Sequence, residues 1–120
     1  MLKHPTDRIE RLHSILPECW SIHSSSKWTR ENPARGQCSV TALVIQDIFG
    51  GEIYKTPTSE GWHFYNKINE QYYDLTASQF SKEIEYLHVP SSRQEAFSDT
   101  NEKQYSYLRK CVARCFRRDL

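Results

Sequence analysis

Long apolar runs are missing from this sequence. None approaches the ~18 residues that a membrane helix needs, so no membrane partner is expected. The first ten residues also lack an apolar segment and carry Lys3, Asp7, Arg8 and Glu10, which does not fit a secretory signal. The expected location is cytoplasmic. Net charge is almost absent: 16 Lys and Arg face 15 Asp and Glu, leaving +1. Broad binding to a phosphate backbone needs a clear basic excess, so nucleic acid is not an expected partner. Aliphatic residues are scarce as well. Leu, Ile, Val and Phe make up 25 of 120 residues, close to the ~20% at which strongly charged chains become disordered. Here the net charge is small and 15 aromatic residues add burial area, so a globular domain with a modest core is expected. No internal repeat or low-complexity tract divides the chain, and its length suits one domain over residues 1–120.

Cysteine is sparse. Cys19, Cys38, Cys111 and Cys115 are too few to staple a chain of this length, and without an export signal reduced thiols are the expectation. Each must then be accounted for by packing, metal binding or chemistry. Free cysteine is among the most buried residue types.

What is present is a succession of two periodicities. Asp7 to Leu16 reads as a helix, with Ile9, Leu12, Ile15 and Leu16 on one face, an Asp7/Glu10 capping pair and Pro17 after its end. Cys19 to Gln37 reads as a long loop anchored by Trp20, Ile22 and Trp28, and loops of this length are usually functional or disordered. Cys38 to Phe49 is the strongest helix pattern, apolar on most sides and stopped by Gly50-Gly51. The period then changes to two. Glu52 to Lys55 fits a strand, and Trp62 to Ile68 with Gln71 to Leu75 fit a hairpin around Asn69-Glu70. Thr76 and Gln79 form a capping pair for a short helix near Ala77, residues 89–99 read as a loop with room for a helical turn, and a final helix runs from a cap near Thr100 to about Arg117. Its apolar stripe is Tyr105, Leu108, Val112, Cys115 and Phe116. A helix, antiparallel strands and further helices make the class α+β rather than α/β.

Three residues stand out together. Cys38 opens the most apolar helix, and a helix N-terminus favours the nucleophilic thiolate. Gly36 leaves room for a substrate to approach the backbone there. A two-residue turn at Asn69-Glu70 pairs Ile68 with Gln71, hence Tyr65 with Asp74, so His63 and Asp74 become diagonal neighbours on one face. Asp74 would hold the imidazole tautomer and His63 would take the thiol proton. A one-residue slip in register would separate them. Taken singly, each has an ordinary structural role: a packed thiol, a strand histidine, a turn aspartate.

The segments Trp20-Ser21-Ile22, Ser25-Ser26-Lys27-Trp28, Asn32 to Val44 (NPARGQCSVTALV), Gly50-Gly51-Glu52-Ile53, His63-Phe64-Tyr65-Asn66, Asp74-Leu75-Thr76 and Gln79-Phe80 resemble the YunG-like family of small bacterial proteins. The resemblance covers roughly half of the chain. The order Cys, His, Asp is similar to that of papain-like and transglutaminase-like cysteine enzymes. It implies Cys38 as nucleophile, His63 as base and Asp74 as orienter, and a papain-like core with N-terminal helices on a small antiparallel sheet and a C-terminal helix. It brings no substrate. Where relatives often carry Asp-Gly at the hairpin turn, this chain has Asn69-Glu70.

The sequence-level expectation is a cysteine-dependent amide hydrolase or acyl transferase acting on an amide-bearing substrate such as a peptide, with no cofactor and no metal. The Cys38 backbone N–H is one oxyanion donor by position. Gln37, Asn32 and the Trp28 indole are candidates for a second, and Trp62 and Tyr65 are candidates for the substrate groove. Three other readings stand beside it. Cys111 and Cys115, at i and i+4, with a histidine and a third cysteine would suit zinc, although the spacing is not a zinc knuckle and packing or a redox pair also explains them. Basic residues Arg109, Lys110, Arg114, Arg117 and Arg118 could touch a partner, though such faces are usually solvated. Finally, the fold could be an inactive papain-like scaffold serving as an interaction module.

Overall fold

The structure, a computed structural model, describes residues 5–117. Its elements are α1 (Pro5–Cys19), α2 (Cys38–Phe49), β1 (Glu52–Thr58), β2 (Gly61–Ile68), β3 (Gln71–Tyr73), a 3-10 turn (Ala77–Gln79), β4 (Val89–Pro90), α3 (Arg93–Ser98) and α4 (Glu102–Arg117). The class is α+β: four helices with one antiparallel sheet in the order β3-β2-β1-β4.

α2 is the centre of the molecule. All eight residues from Cys38 to Ile45 are buried, because the helix packs on β2 along one side and on α3 and α4 along others. Removing a side chain such as Leu43 (fully buried) from such a position costs about 2–5 kcal/mol. The helix ends where the glycines were expected to end it. Gly51 is irreplaceable for a second reason: a Cβ there would stand 2.3 Å from the Lys67 carbonyl oxygen, so the chain enters β1 hard against β2. An ion-pair cluster ties the helices together. Asp47 on α2 accepts from the Tyr105 hydroxyl and pairs with Arg93 at 2.8 Å.

Several boundaries differ from the sequence expectation. α1 runs through Pro17 to Cys19. Pro17 forfeits one donor, but Leu16 and Cys19 are fully buried and Trp20 N–H still donates to Leu16 O at 2.9 Å, so packing carries the helix past it. Asp7 therefore lies within the first turn rather than capping it. α1 packs mainly on α4, so of the two N-terminal helices α2 is the one laid on the sheet. Ile22 is 52% exposed and anchors nothing, whereas Trp20 is buried, its indole donating to Thr41 Oγ1 at 2.9 Å. β1 extends to Thr58 because β2 pairs with it along its whole length. Residues 89–99 hold a short strand and a helix rather than a loop: β4 pairs with β1, and Ser92 caps α3 by accepting from Glu95 N–H. Asn101, one residue beyond Thr100, caps α4 through Gln104 N–H. On α4, Arg109, Lys110 and Arg114 are exposed; Arg118 lies outside the described residues.

The hairpin register decides where His63 stands relative to Asp74. Ile68 pairs with Gln71, Lys67 with Tyr72 and Asn66 with Tyr73, as expected from a two-residue turn. Asn69 and Glu70 supply the left-handed pair of residues that such a turn demands, with φ of 49° and 69°.

Candidate active site

Cys38 is the first residue of α2 and is buried beneath a cavity of about 330 Å³. Gly36 shapes the approach to it. Its φ is +73°, and a Cβ would stand 2.5 Å from Ser25 Oγ and 2.7 Å from Lys27 Cβ. Glycine is thus required by the backbone and by the loop pressed against it, as well as lining the cavity.

His63 lies on β2, 2% exposed. β3 stops at Tyr73, so Asp74 leaves the ladder and its carboxylate turns to the imidazole: Nε2 is 2.7 Å from Asp74 Oδ2. Asp74 is itself fixed from two sides. The backbone N–H and hydroxyl of Thr76 donate to Oδ1, each at 3.2 Å, and the Tyr86 hydroxyl donates to Oδ2 at 2.5 Å. Phe80 sets its ring edge-on to the imidazole, with centroids 4.8 Å apart. Asp74 and Phe80 therefore hold the imidazole from two sides.

Alternation along β2 turns Phe64 and Asn66 toward the body of α2, where Asn66 Nδ2 donates to Ala42 O at 3.0 Å. His63 and Tyr65 occupy the other face. Cys38 nevertheless meets the His63 ring, at the end of the sheet where β3 has already stopped; both residues line the one cavity. Burial alone would lower the imidazole pKa. The hydrogen bond to Asp74 and the neighbouring Cys38 thiol outweigh it, and the pKa is raised from 6.5 to about 9. Nδ1, the nitrogen turned away from Asp74, is buried without a hydrogen bond. The thiol is close enough to favour the charged ring.

A sequence model of the YunG protein family matches residues 8–117. The chain belongs to the YunG family. A relative from Bacillus subtilis (strain 168), named uncharacterized protein YunG, is 60% identical over 106 residues, which is 88% of this chain and 92% of that protein. No solved structure matches the chain. Membership in the YunG family supplies no chemistry, so the roles of the residues rest on geometry.

The structure brings Cys38, His63 and Asp74 together, and it places Trp62 at the cavity wall, 49% exposed, with Lys55 Nζ 4.1 Å from its ring centre. The other candidates sit elsewhere. Tyr65 is buried away from the cavity, its hydroxyl 2.9 Å from Nδ1 of His88, for which the sequence offers no partner. Gln37 is locked in the loop, accepting from Ser24 at 2.8 Å and donating to Ser21 O at 3.4 Å. Asn32 donates to Gln79 O at 3.0 Å and lines an adjoining depression of about 530 Å³. Trp28 packs against the core with its indole N–H unpaired. None of Trp28, Asn32, Gln37 and Tyr65 lines the cavity above Cys38.

The residues that support Asp74 carry little sequence signal. Thr76 and Gln79 read as a helix cap, but Thr76 gives its hydroxyl to Asp74 and caps nothing, while Gln79 donates to Thr76 at 3.2 Å and lines the cavity. Tyr86 lies in a segment without regular structure. Cys19 is remote in sequence from Cys111 and Cys115, yet the three converge: their ligand atoms lie within 4.8 Å of one another. None of the four cysteines is in a disulfide.

Proposed function

We propose that this chain is a cysteine-dependent amide hydrolase or acyl transferase in which Cys38 is the nucleophile, His63 the proton carrier and Asp74 the orienting carboxylate. The observation that carries this reading is the His63 ring, clamped at Nε2 by Asp74 at 2.7 Å and neighboured by the Cys38 thiol, which helps to raise its pKa. A helix-opening cysteine, a strand histidine and a carboxylate after the next strand follow the order of papain-like and transglutaminase-like enzymes.

With its pKa raised to about 9, His63 carries a proton near neutrality, with the Cys38 thiol as its neighbour. The sulfur attacks the carbonyl carbon, a C–S bond forms, and the π electrons move to oxygen. The α2 N-terminus and the Cys38 N–H face that developing charge. Collapse breaks the C–N bond, and the departing nitrogen takes the proton from Nδ1 of His63. Water or an amine, deprotonated by the now neutral imidazole, then attacks the thioester and releases Cys38. No cofactor enters these steps. The cavity wall carries Ser25, Ser26, Lys27, Arg35, Gln79 and Gln104, a lining suited to a polar substrate such as a peptide or a carboxamide side chain rather than a lipid.

The test is covalent trapping. The intact protein is incubated with a peptide library bearing glutamine and asparagine, quenched in acid and measured by mass spectrometry. An acyl adduct on Cys38 that is absent in Asp74→Ala supports the proposal. An unmodified Cys38, together with equal trapping by a chloromethyl ketone probe in wild type and Asp74→Ala, would assign the fold to an inactive interaction module.

A further inference from the structure

The remaining cysteines are assembled like a ligand set. Cys19 is the last residue of α1, and Cys111 and Cys115 lie one turn apart on α4. These two helices pack directly on each other. Cys19 Sγ is 3.8 Å from Cys115 Sγ, and all three sulfurs fall within 4.8 Å. Tetrahedral zinc with Zn–S bonds of about 2.3 Å spaces its sulfurs about 3.8 Å apart, so one edge already has that length and the other two need only small side-chain rotations.

We propose that Cys19, Cys111 and Cys115 form a three-thiolate site for a thiophilic d10 cation, zinc(II) or copper(I), that clamps α1 to α4. The donor set selects this chemistry. It is the one His/Cys/Asp/Glu cluster of three among the described residues, and it holds sulfur alone, which suits zinc and copper(I) and excludes magnesium, calcium and manganese. Access is available: Cys19 is buried, but Cys111 and Cys115 are half-buried and open one side of the cluster. The C-terminal end of α1 adds a favourable partial charge for a cation. Each ligating thiol gives its proton to solvent as its sulfur–metal bond forms; with three protein ligands, zinc keeps one position for solvent, whereas copper(I) is satisfied by three. Cys38 is not a member, so this site stands apart from the proposed catalysis.

The full chain, reduced and stripped of metal, is titrated in separate arms with zinc(II) and with copper(I) against a chromophoric chelator for each ion. One equivalent bound in either arm, with a rise in melting temperature, is expected for wild type and for Cys38→Ala. Cys111→Ser and Cys115→Ser, at half-exposed positions, are expected to fold and to lose that equivalent. The arm that binds identifies the ion. Failure of both arms to compete with the chelator, retention of the full equivalent in both serine variants, or its loss in Cys38→Ala would overturn the proposal.

Discussion

His63 Nε2 stands 2.7 Å from Asp74 Oδ2 across the end of the β2–β3 hairpin, and this contact lies beyond the last ladder pair, Asn66 with Tyr73. It orients the imidazole and leaves Nδ1 without a hydrogen-bond partner. Asp74→Asn keeps the side-chain shape but removes the negative charge. Burial, which opposes the imidazolium, then prevails. The His63 titration, followed by NMR of labelled imidazole, is expected to fall from about 9 by about 1–3 pH units.

The same coupling makes stability depend on pH. The folded pKa of His63 is raised above its ordinary value, so its contribution is complete below 6.5 and is lost as pH rises through about 9. The urea midpoint of wild type is expected to fall across that window. In Asp74→Asn the fall is expected to be shallower, which parallel urea titrations at several pH values would show.

Asn69-Glu70 completes the hairpin at a cost. Glu70 holds φ at 69°, where a residue with a Cβ is strained by about 1–2 kcal/mol. Glu70→Gly removes that strain and gives up only an exposed ion pair with Lys67 at 4.0 Å. A gain of roughly 0.5–1 kcal/mol in unfolding free energy is expected, with His63 reactivity unchanged.

Gly36→Ala tests the loop beneath the cavity. A Cβ at φ +73° and 2.5 Å from Ser25 Oγ must displace the segment carrying Ser25 and Lys27. A loss of about 1–3 kcal/mol is expected from chemical denaturation, with slower modification of Cys38 as the cavity rim shifts.

Much of this arrangement was legible in the sequence, for identifiable reasons. The apolar run from Cys38 to Phe49 and the glycines after it fix α2, and a two-residue turn leaves a single register, which brings His63 to Asp74. Elsewhere tertiary packing decided the outcome. Pro17 reads as a stop, yet Leu16 and Cys19 are buried around it. β4 is two residues long and exists only through its pairing with β1. Tyr86 reaches Asp74 from an irregular segment, where no periodicity exists to be read. Gln37 adjoins Cys38, but adjacency does not aim a side chain at the same space, and its amide is turned into the loop toward Ser21 and Ser24. Cys19 and Cys115 are 96 residues apart, so their approach follows only from the packing of α1 on α4.

The central claim is that His63 activates Cys38. The rate of alkylation by iodoacetamide near neutral pH, resolved for each cysteine by mass spectrometry, tests it most directly. Cys38 is expected to react faster than Cys19, Cys111 and Cys115 in wild type, and to slow by about tenfold or more in His63→Ala and in His63→Gln, each shown to be folded by circular dichroism. Equal Cys38 rates in wild type and in both folded variants would contradict the account.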